Sequence, residues 1–205
     1  MDYGLAIITG YLLGSIPVAL LLARRHGVDL RATGDGNPGA WNALEQLGAR
    51  RAWPAFVGDG LKGTLAGLGG LAVGGIWVAY AAVGAAMLGH AFPVLARGRG
   101  GKAVMTFAGG MFAVTPVAAA IALAVCVALA VWRTFALGAR VGVFGVPLVQ
   151  LLVDPVERVL ATGALMTLIG ALFVLRSPGS GASEAVTTVS TSDPARGGRG
   201  ARRSR

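Results

Sequence analysis

The chain has 205 residues, 55% of them hydrophobic and only 13% charged, with a net charge of +9. A soluble globular domain carries about 25% charged residues, so this composition, with its mean hydropathy of +0.69, excludes an ordinary soluble protein. It indicates an all-α, polytopic membrane bundle. The arginines fall between apolar runs and at the C-terminal end, as they do in cytoplasmic membrane loops, so no nucleic acid partner is expected.

The first apolar stretch runs from Tyr3 to Ala23. No basic region precedes it and no convincing A-x-A cleavage site follows, so it reads as a retained span rather than a signal peptide. The polar loop from Arg24 to Arg51 holds five arginines. Two apolar runs follow, Ala52 to Val73 and Ile76 to Ala96, separated by Gly74-Gly75. A short basic loop, "RGRGGK", then occupies Arg97 to Lys102. Ala103 to Val131 is too long for one straight span, and Thr115-Pro116 divides it because the residue before proline disfavours helix. Arg133 to Arg140 reads as a connector, Val141 to Val153 as a further run, and the final helix extends to Leu175. Its opening "DPVE" predicts Asp154 as a cap, Pro155 in the first turn and Glu157 closing a capping box.

Splitting both long regions gives about seven transmembrane helices, and leaving them whole gives five. The seven-span arrangement places the basic loops and the tail on the cytoplasmic side, as the positive-inside rule prefers, at the cost of short helices. The expected layout is a membrane-embedded helical domain over residues 1–176 and a disordered basic tail over 177–205. That tail ends with five arginines in ten residues and is suited to anionic lipid heads. The 33 glycines, as in "GTLAGLGGLAVGG", suit close helix packing. Cys126, the single cysteine, reads as a small buried hydrophobe.

The stretch "TGDGNPGAWNALEQLG", residues 33–48, contains G-x-G-x-x-G at Gly34, Gly36 and Gly39. A dinucleotide fingerprint needs a preceding strand inside a βαβ unit. Here a membrane helix and a basic connector precede it, so that reading fails. Asn37 predicts a helix cap, Pro38 the first helical position and Gly48 the helix end. Such a start exposes backbone N–H groups that bind anions. A second loop places Gly98, Gly100, Gly101 and Lys102 before another helix. It is not a Walker A motif, because Ala96 and Ala103 stand where glycine and Ser/Thr are needed. Two glycine-rich cationic loops on one membrane face indicate a phosphorylated substrate with a lipid portion.

"GYLLGSIPVALLLAR", "GDGNPGAWNAL", "GDGLKG" and "GHAFPVLARGRGGKAV" resemble, in order, the signature blocks of bacterial acyl-phosphate:glycerol-3-phosphate acyltransferases. The resemblance covers about Gly10 to Gly110, with a looser hydropathy match to Leu175. It implies a seven-helix fold in the bacterial inner membrane. It also implies acyl transfer from acyl phosphate to glycerol 3-phosphate, giving lysophosphatidate among membrane lipids, with no metal and no nucleotide cofactor. Substrate-binding positions carried over are Gly34, Gly36, Asn37, Gly39, Asn42, Gly100, Gly101 and Lys102.

Three positions of the first block depart from the family pattern. Asp35 replaces a serine important for activity, Trp41 a threonine, and Glu45 an important arginine. Ser to Asp adds one negative charge and Arg to Glu changes two more, a shift of −3 beside a dianion site. Arg31, Arg97 and Arg99 can restore positive potential, and Asp35 can act as a general base for the glycerol hydroxyl. A third block rich in His, Asn and Arg should follow the last helix, where "VLRSPGSG" stands instead. These departures motivate the alternative of a catalytically impaired member that binds a phospholipid or acyl phosphate as a regulatory or partner protein.

Asp59 and Lys62 in "GDGLKG" lie three apart, spaced to pair on one helix face. Intramembrane charges are functional candidates, which makes Lys62 a further substrate-binding candidate. His90 reads as a satisfied interfacial histidine, and Trp53, Trp77 and Trp132 as belt residues at span ends.

Overall fold

The computed structural model describes residues 2–176. The expectation for the tail at 177–205 lies outside them. The described residues form helices and connecting turns, with no strand. In chain order these are α1 (Asp2–Gly14), α2 (Val18–Arg25), α3 (Ala40–Leu47), α4 (Ala49–Gly74), α5 (Ile76–Ala91), α6 (Val104–Val114), α7 (Pro116–Trp132), α8 (Phe135–Val153) and α9 (Val156–Leu175). A single 3₁₀ turn covers Val94–Ala96. Among the described residues, four stretches are long and apolar enough to cross a membrane: Asp2–Arg25, Ile76–Ala96, Phe135–Val153 and Val156–Leu175. Val104–Val114 and Pro116–Trp132 are shorter and equally apolar.

Proline sets two of the breaks. Pro17 cannot donate a backbone hydrogen bond and disfavours helix in the residue before it, so the first span is interrupted between α1 and α2. Thr115 closes α6 and Pro116 opens α7, the division expected from Thr115-Pro116. Gly75, with φ of +80°, supplies the left-handed residue that separates α4 from α5.

Glycine lets the central helices touch backbone to backbone. A Cβ on Gly14 would collide with the Ala86 carbonyl, joining α1 to α5. Gly63 faces the Thr106 carbonyl and Gly109 the Gly60 carbonyl in the same way, joining α4 to α6. Without hydrophobic drive inside a bilayer, such close approach is how helices gain packing energy. The largest core groups Met87 of α5, Phe107 and Met111 of α6, and Ile169 and Leu172 of α9. A second cluster gathers Leu30, Ala43 and Ala52 under α2, α3 and α4.

Two sequence expectations are corrected. Asp154 does not cap α9. Pro155 holds that position with no side-chain cap, and Asp154 ends α8. Its carboxylate accepts from Thr115 Oγ1 at 2.5 Å, Gln150 Nε2 at 3.3 Å and Arg158 Nη1 at 3.2 Å. The buried Thr115 and Gln150 would lose a partner if it turned to the helix start, so the buried network wins over a surface cap. The connector expected at Arg133 to Arg140 shrinks to Arg133-Thr134, because Thr134 Oγ1 accepts from Leu137 N at 3.2 Å and starts α8 at Phe135.

The glycine contacts make a direct stability prediction. Gly109→Val forces two helix backbones apart and should cost about 1–3 kcal/mol or more, read as a lower melting temperature in detergent. Gly170→Ala, where nothing lies within 4 Å of the added Cβ, should be neutral or stabilising by up to about 1 kcal/mol.

Candidate functional site

Both glycine loops lie at one end of the bundle, where α2, α3 and the C-terminal ends of α5 and α9 meet. The first is shaped by Gly34 and Gly36, with φ of +58° and +69°. A side chain at Gly34 would strike the Asn42 amide, so glycine is required there for both space and conformation. Asp35 Oδ1 accepts from Asn37 N at 3.0 Å, a local turn. Asn42, 1% exposed, reaches back from α3. Its Nδ2 donates to Leu30 O at 2.9 Å and to Thr33 O and Asn37 O, both at 3.0 Å. Asn37 is therefore not the helix cap that the sequence predicts. Its carbonyl belongs to this knot, and α3 starts two residues later with Gly39 as its cap. Gly48 ends α3 as expected.

The second loop folds back on the end of α5. The amides of Gly98, Gly100 and Gly101 donate to Pro93 O, Ala91 O and His90 O at 2.9, 3.0 and 3.2 Å. These N–H groups are thus engaged within the protein. What Gly100 and Gly101 contribute is clearance, since a Cβ on either would collide with the His90 carbonyl or the His90 ring. Two arginines grip the outward carbonyls. Arg31 donates to Ala96 O at 2.7 Å and Arg99 O at 2.8 Å. Arg176 donates to Gly100 O at 2.6 Å, to Ala91 O and, more weakly, to Gly98 O at 3.4 Å. Burial draws both guanidinium groups below their usual pKa, with Arg24 and Arg99 adding to the effect at Arg31. Arg176 sits at the last position of the described chain and was missed in the sequence. Its one signal is a lone cation closing an apolar helix in "VLRSPG".

The two loops touch: a Cβ on Gly101 would lie 3.4 Å from Gly39 Cα. Lys102 Nζ stands 3.4 Å from Asp35 Oδ2, joining them by an ion pair, and lies 4.7 Å from the centre of the Phe173 ring. Beneath them is a buried charged cluster. Lys62 Nζ is 2.9 Å from Asp59 Oδ1 and donates to Ile16 O at 2.9 Å. His90 Nδ1 lies 3.6 Å from the same carboxylate oxygen. Asp59 and Lys62 are 1% and 4% exposed, and His90 is buried with them rather than interfacial. A small cavity between Pro38, Lys62, His90, Arg99, Gly100 and Gly101 connects the cluster to both loops.

Glu45 is not part of this array. It accepts from Trp41 Nε1 at 2.7 Å, and among the described residues it forms no ion pair. The described residues also contain no group of three or more His, Cys, Asp or Glu placed to hold a metal ion. Beside the loops, an apolar groove of about 650 Å³ runs between α4, α6, α7 and α8. Phe56, Met105, Gly109, Phe112, Phe135 and Val146 are among its walls. Met105, one of these walls, lies three residues after Lys102 in the chain.

Residues 4–178 match the family model described as Glycerol-3-phosphate acyltransferase. A relative of that name from Geotalea daltonii is 41% identical over 151 residues, covering 72% of this chain and 77% of that protein. One from Geobacter sulfurreducens is 40% identical over 169 residues, covering 80% and 84%. Alignments with some other relatives are shorter, at 57% and 60% of those proteins. The crystal structure of PlsY, described as an integral membrane glycerol 3-phosphate acyltransferase in its glycerol 3-phosphate form, superposes with a TM-score of 0.75 at 32% identity. It covers 85% of this chain and 90% of that one. The chain therefore belongs to the glycerol-3-phosphate acyltransferase family and is an all-helical, multi-pass membrane protein.

Proposed function

We propose that this chain transfers an acyl group from acyl phosphate to glycerol 3-phosphate, forming lysophosphatidate and inorganic phosphate. The observation that carries the reading is the contact between the two glycine loops, with Lys102 at their junction, in a bundle that also holds an apolar groove. Counting α1 and α2 as one crossing and leaving out α3 gives seven crossings. The positive-inside rule puts the loops on the cytoplasmic face of a bacterial inner membrane.

Lys102 precedes the N-terminus of α6, where the first amides and the helix dipole favour an anion. A substrate phosphate competes there with the Asp35 carboxylate for the ammonium. Gly34, Gly36, Gly39, Gly100 and Gly101 keep the pocket open for it, Asn37 and Asn42 fix the first loop's shape, and Lys62 supplies positive charge from below. The glycerol hydroxyl oxygen attacks the acyl carbonyl carbon, a new ester C–O bond forms, and the bond to the phosphate oxygen breaks. Asp35, released from Lys102 when phosphate arrives, stands in the family motif's serine position and accepts the hydroxyl proton. Inorganic phosphate leaves with the electrons of the broken bond.

The test is phosphate release by the purified full chain in lipid, given acyl phosphate and glycerol 3-phosphate. Wild type should turn over. Lys102→Ala loses a charged hydrogen bond worth about 1.5–3 kcal/mol and should fall by one to two orders of magnitude. Wild-type activity indistinguishable from that of Lys102→Ala overturns the proposal and favours the binding-only alternative. Asp35→Asn removes the proton acceptor and should lower kcat about 10²–10⁴-fold, whereas Asp35→Ser restores the family motif and should stay active. Arg176→Ala frees the second loop and should raise KM for glycerol 3-phosphate, with little change in the melting temperature of the helical body.

A further inference from the structure

Trp41 and Glu45 are the two departures from the family pattern that sit on α3 rather than in the loop. They are one turn apart and hydrogen-bonded to each other. The Trp41 indole also stacks on Phe135, with ring centroids 5.7 Å apart and planes 11° from parallel. Phe135 meets Phe56 edge-on, at 5.7 Å and 79°. Three rings thus bind α3 and α4 to the first residue of α8.

Their position matters because of how α8 is held. Gly138 and Gly142 press α8 against Cys126 of α7, making the two helices a tight hairpin. The apolar groove separates this hairpin from α4 and α6. At the far end, Asp154 and Gln150 tie α8 to Thr115 and Tyr80. At the near end the three rings close the gap. Phe56 and Phe135 are themselves groove walls, as is Leu44 of α3. Apart from Thr64, the side chains along the groove are apolar or a lone thiol. Such an apolar channel fits a single alkyl tail.

We propose that Trp41, held in place by Glu45, is a positioning residue for the lipid tail: it braces Phe135 across the mouth of the groove. This rests on the acyl-phosphate reading above. The two substitutions then act on the tail side of the site and leave the phosphate pocket to Lys102 and Lys62. The side chain of Glu45 serves as the acceptor that fixes the indole, which explains why a carboxylate is tolerated one turn from a phosphate-binding loop.

The experiment uses the full chain in lipid nanodiscs and reads two ligands: hexadecyl phosphate, which has head and tail but no transferable acyl group, and glycerol 3-phosphate. Trp41→Ala should weaken hexadecyl phosphate about two- to tenfold, the worth of one aromatic pair. It should raise KM for hexadecanoyl phosphate by the same factor and leave glycerol 3-phosphate unchanged. Glu45→Gln keeps the acceptor and should bind as wild type does, whereas Trp41→Phe keeps a stacking ring but loses the hydrogen bond to Glu45 and should fall between wild type and Trp41→Ala. Glu45→Ala should move in the direction of Trp41→Ala, and it carries the test if Trp41→Ala does not fold. Equal shifts for both ligands, or no shift for hexadecyl phosphate, overturn the inference. A wild type that binds hexadecyl phosphate but transfers nothing overturns the acyl-transfer reading alone, leaving the role of Trp41 to be judged on binding. A wild type that binds no hexadecyl phosphate overturns both.

Discussion

The site rests on one buried ion pair. Asp59 and Lys62 lie inside the bundle, where an unpaired charge would be expensive. Their mutual contact of 2.9 Å lowers that cost, and the second hydrogen bond of Lys62, to Ile16 O, directs it. That carbonyl is available because Pro17 interrupts the first span. The pair therefore couples a proline break in α1–α2 to the middle of α4 and to His90 at the end of α5. Both glycine loops fold over this cluster.

Above the cluster, the loops are stabilised by groups that point inward. Asn42 ties three carbonyls of the first loop, while Arg31 and Arg176 tie five carbonyls of the second segment between them. Fixed side chains, not free loop amides, make the shape. Lys102, by contrast, is only partly committed, its Nζ 3.4 Å from the carboxylate of the solvent-facing Asp35. A pocket built this way has its framework bonds in place without a ligand.

Much of this was legible in the sequence because membrane insertion and helix breaking act locally. The apolar runs, the division at Thr115-Pro116, the stop at Gly48 and the Asp59–Lys62 pairing all follow from neighbouring residues. What was not legible depended on distant partners. Asp154 reads as a cap until Thr115 and Gln150 arrive from other helices. Asn37 reads as a cap until Asn42 takes its carbonyl. The second loop reads as a row of free amides until it folds onto α5. Glu45 reads as a charge beside phosphate until Trp41 and Phe135 give it another task. Arg176 gave almost no signal, since one arginine after an apolar helix has an ordinary explanation as an interfacial anchor.

The reach of Arg176 from the end of α9 to the loop after α5 has a consequence for biogenesis. The loop at 97–103 leaves the ribosome some seventy residues before the arginine that clasps it. Until the last hydrophobic segment is inserted, that loop has its backbone bonds to the end of α5 and its bonds from Arg31 but lacks those that Arg176 makes. The final fastening of that end of the bundle is thereby tied to translation and membrane integration reaching α9.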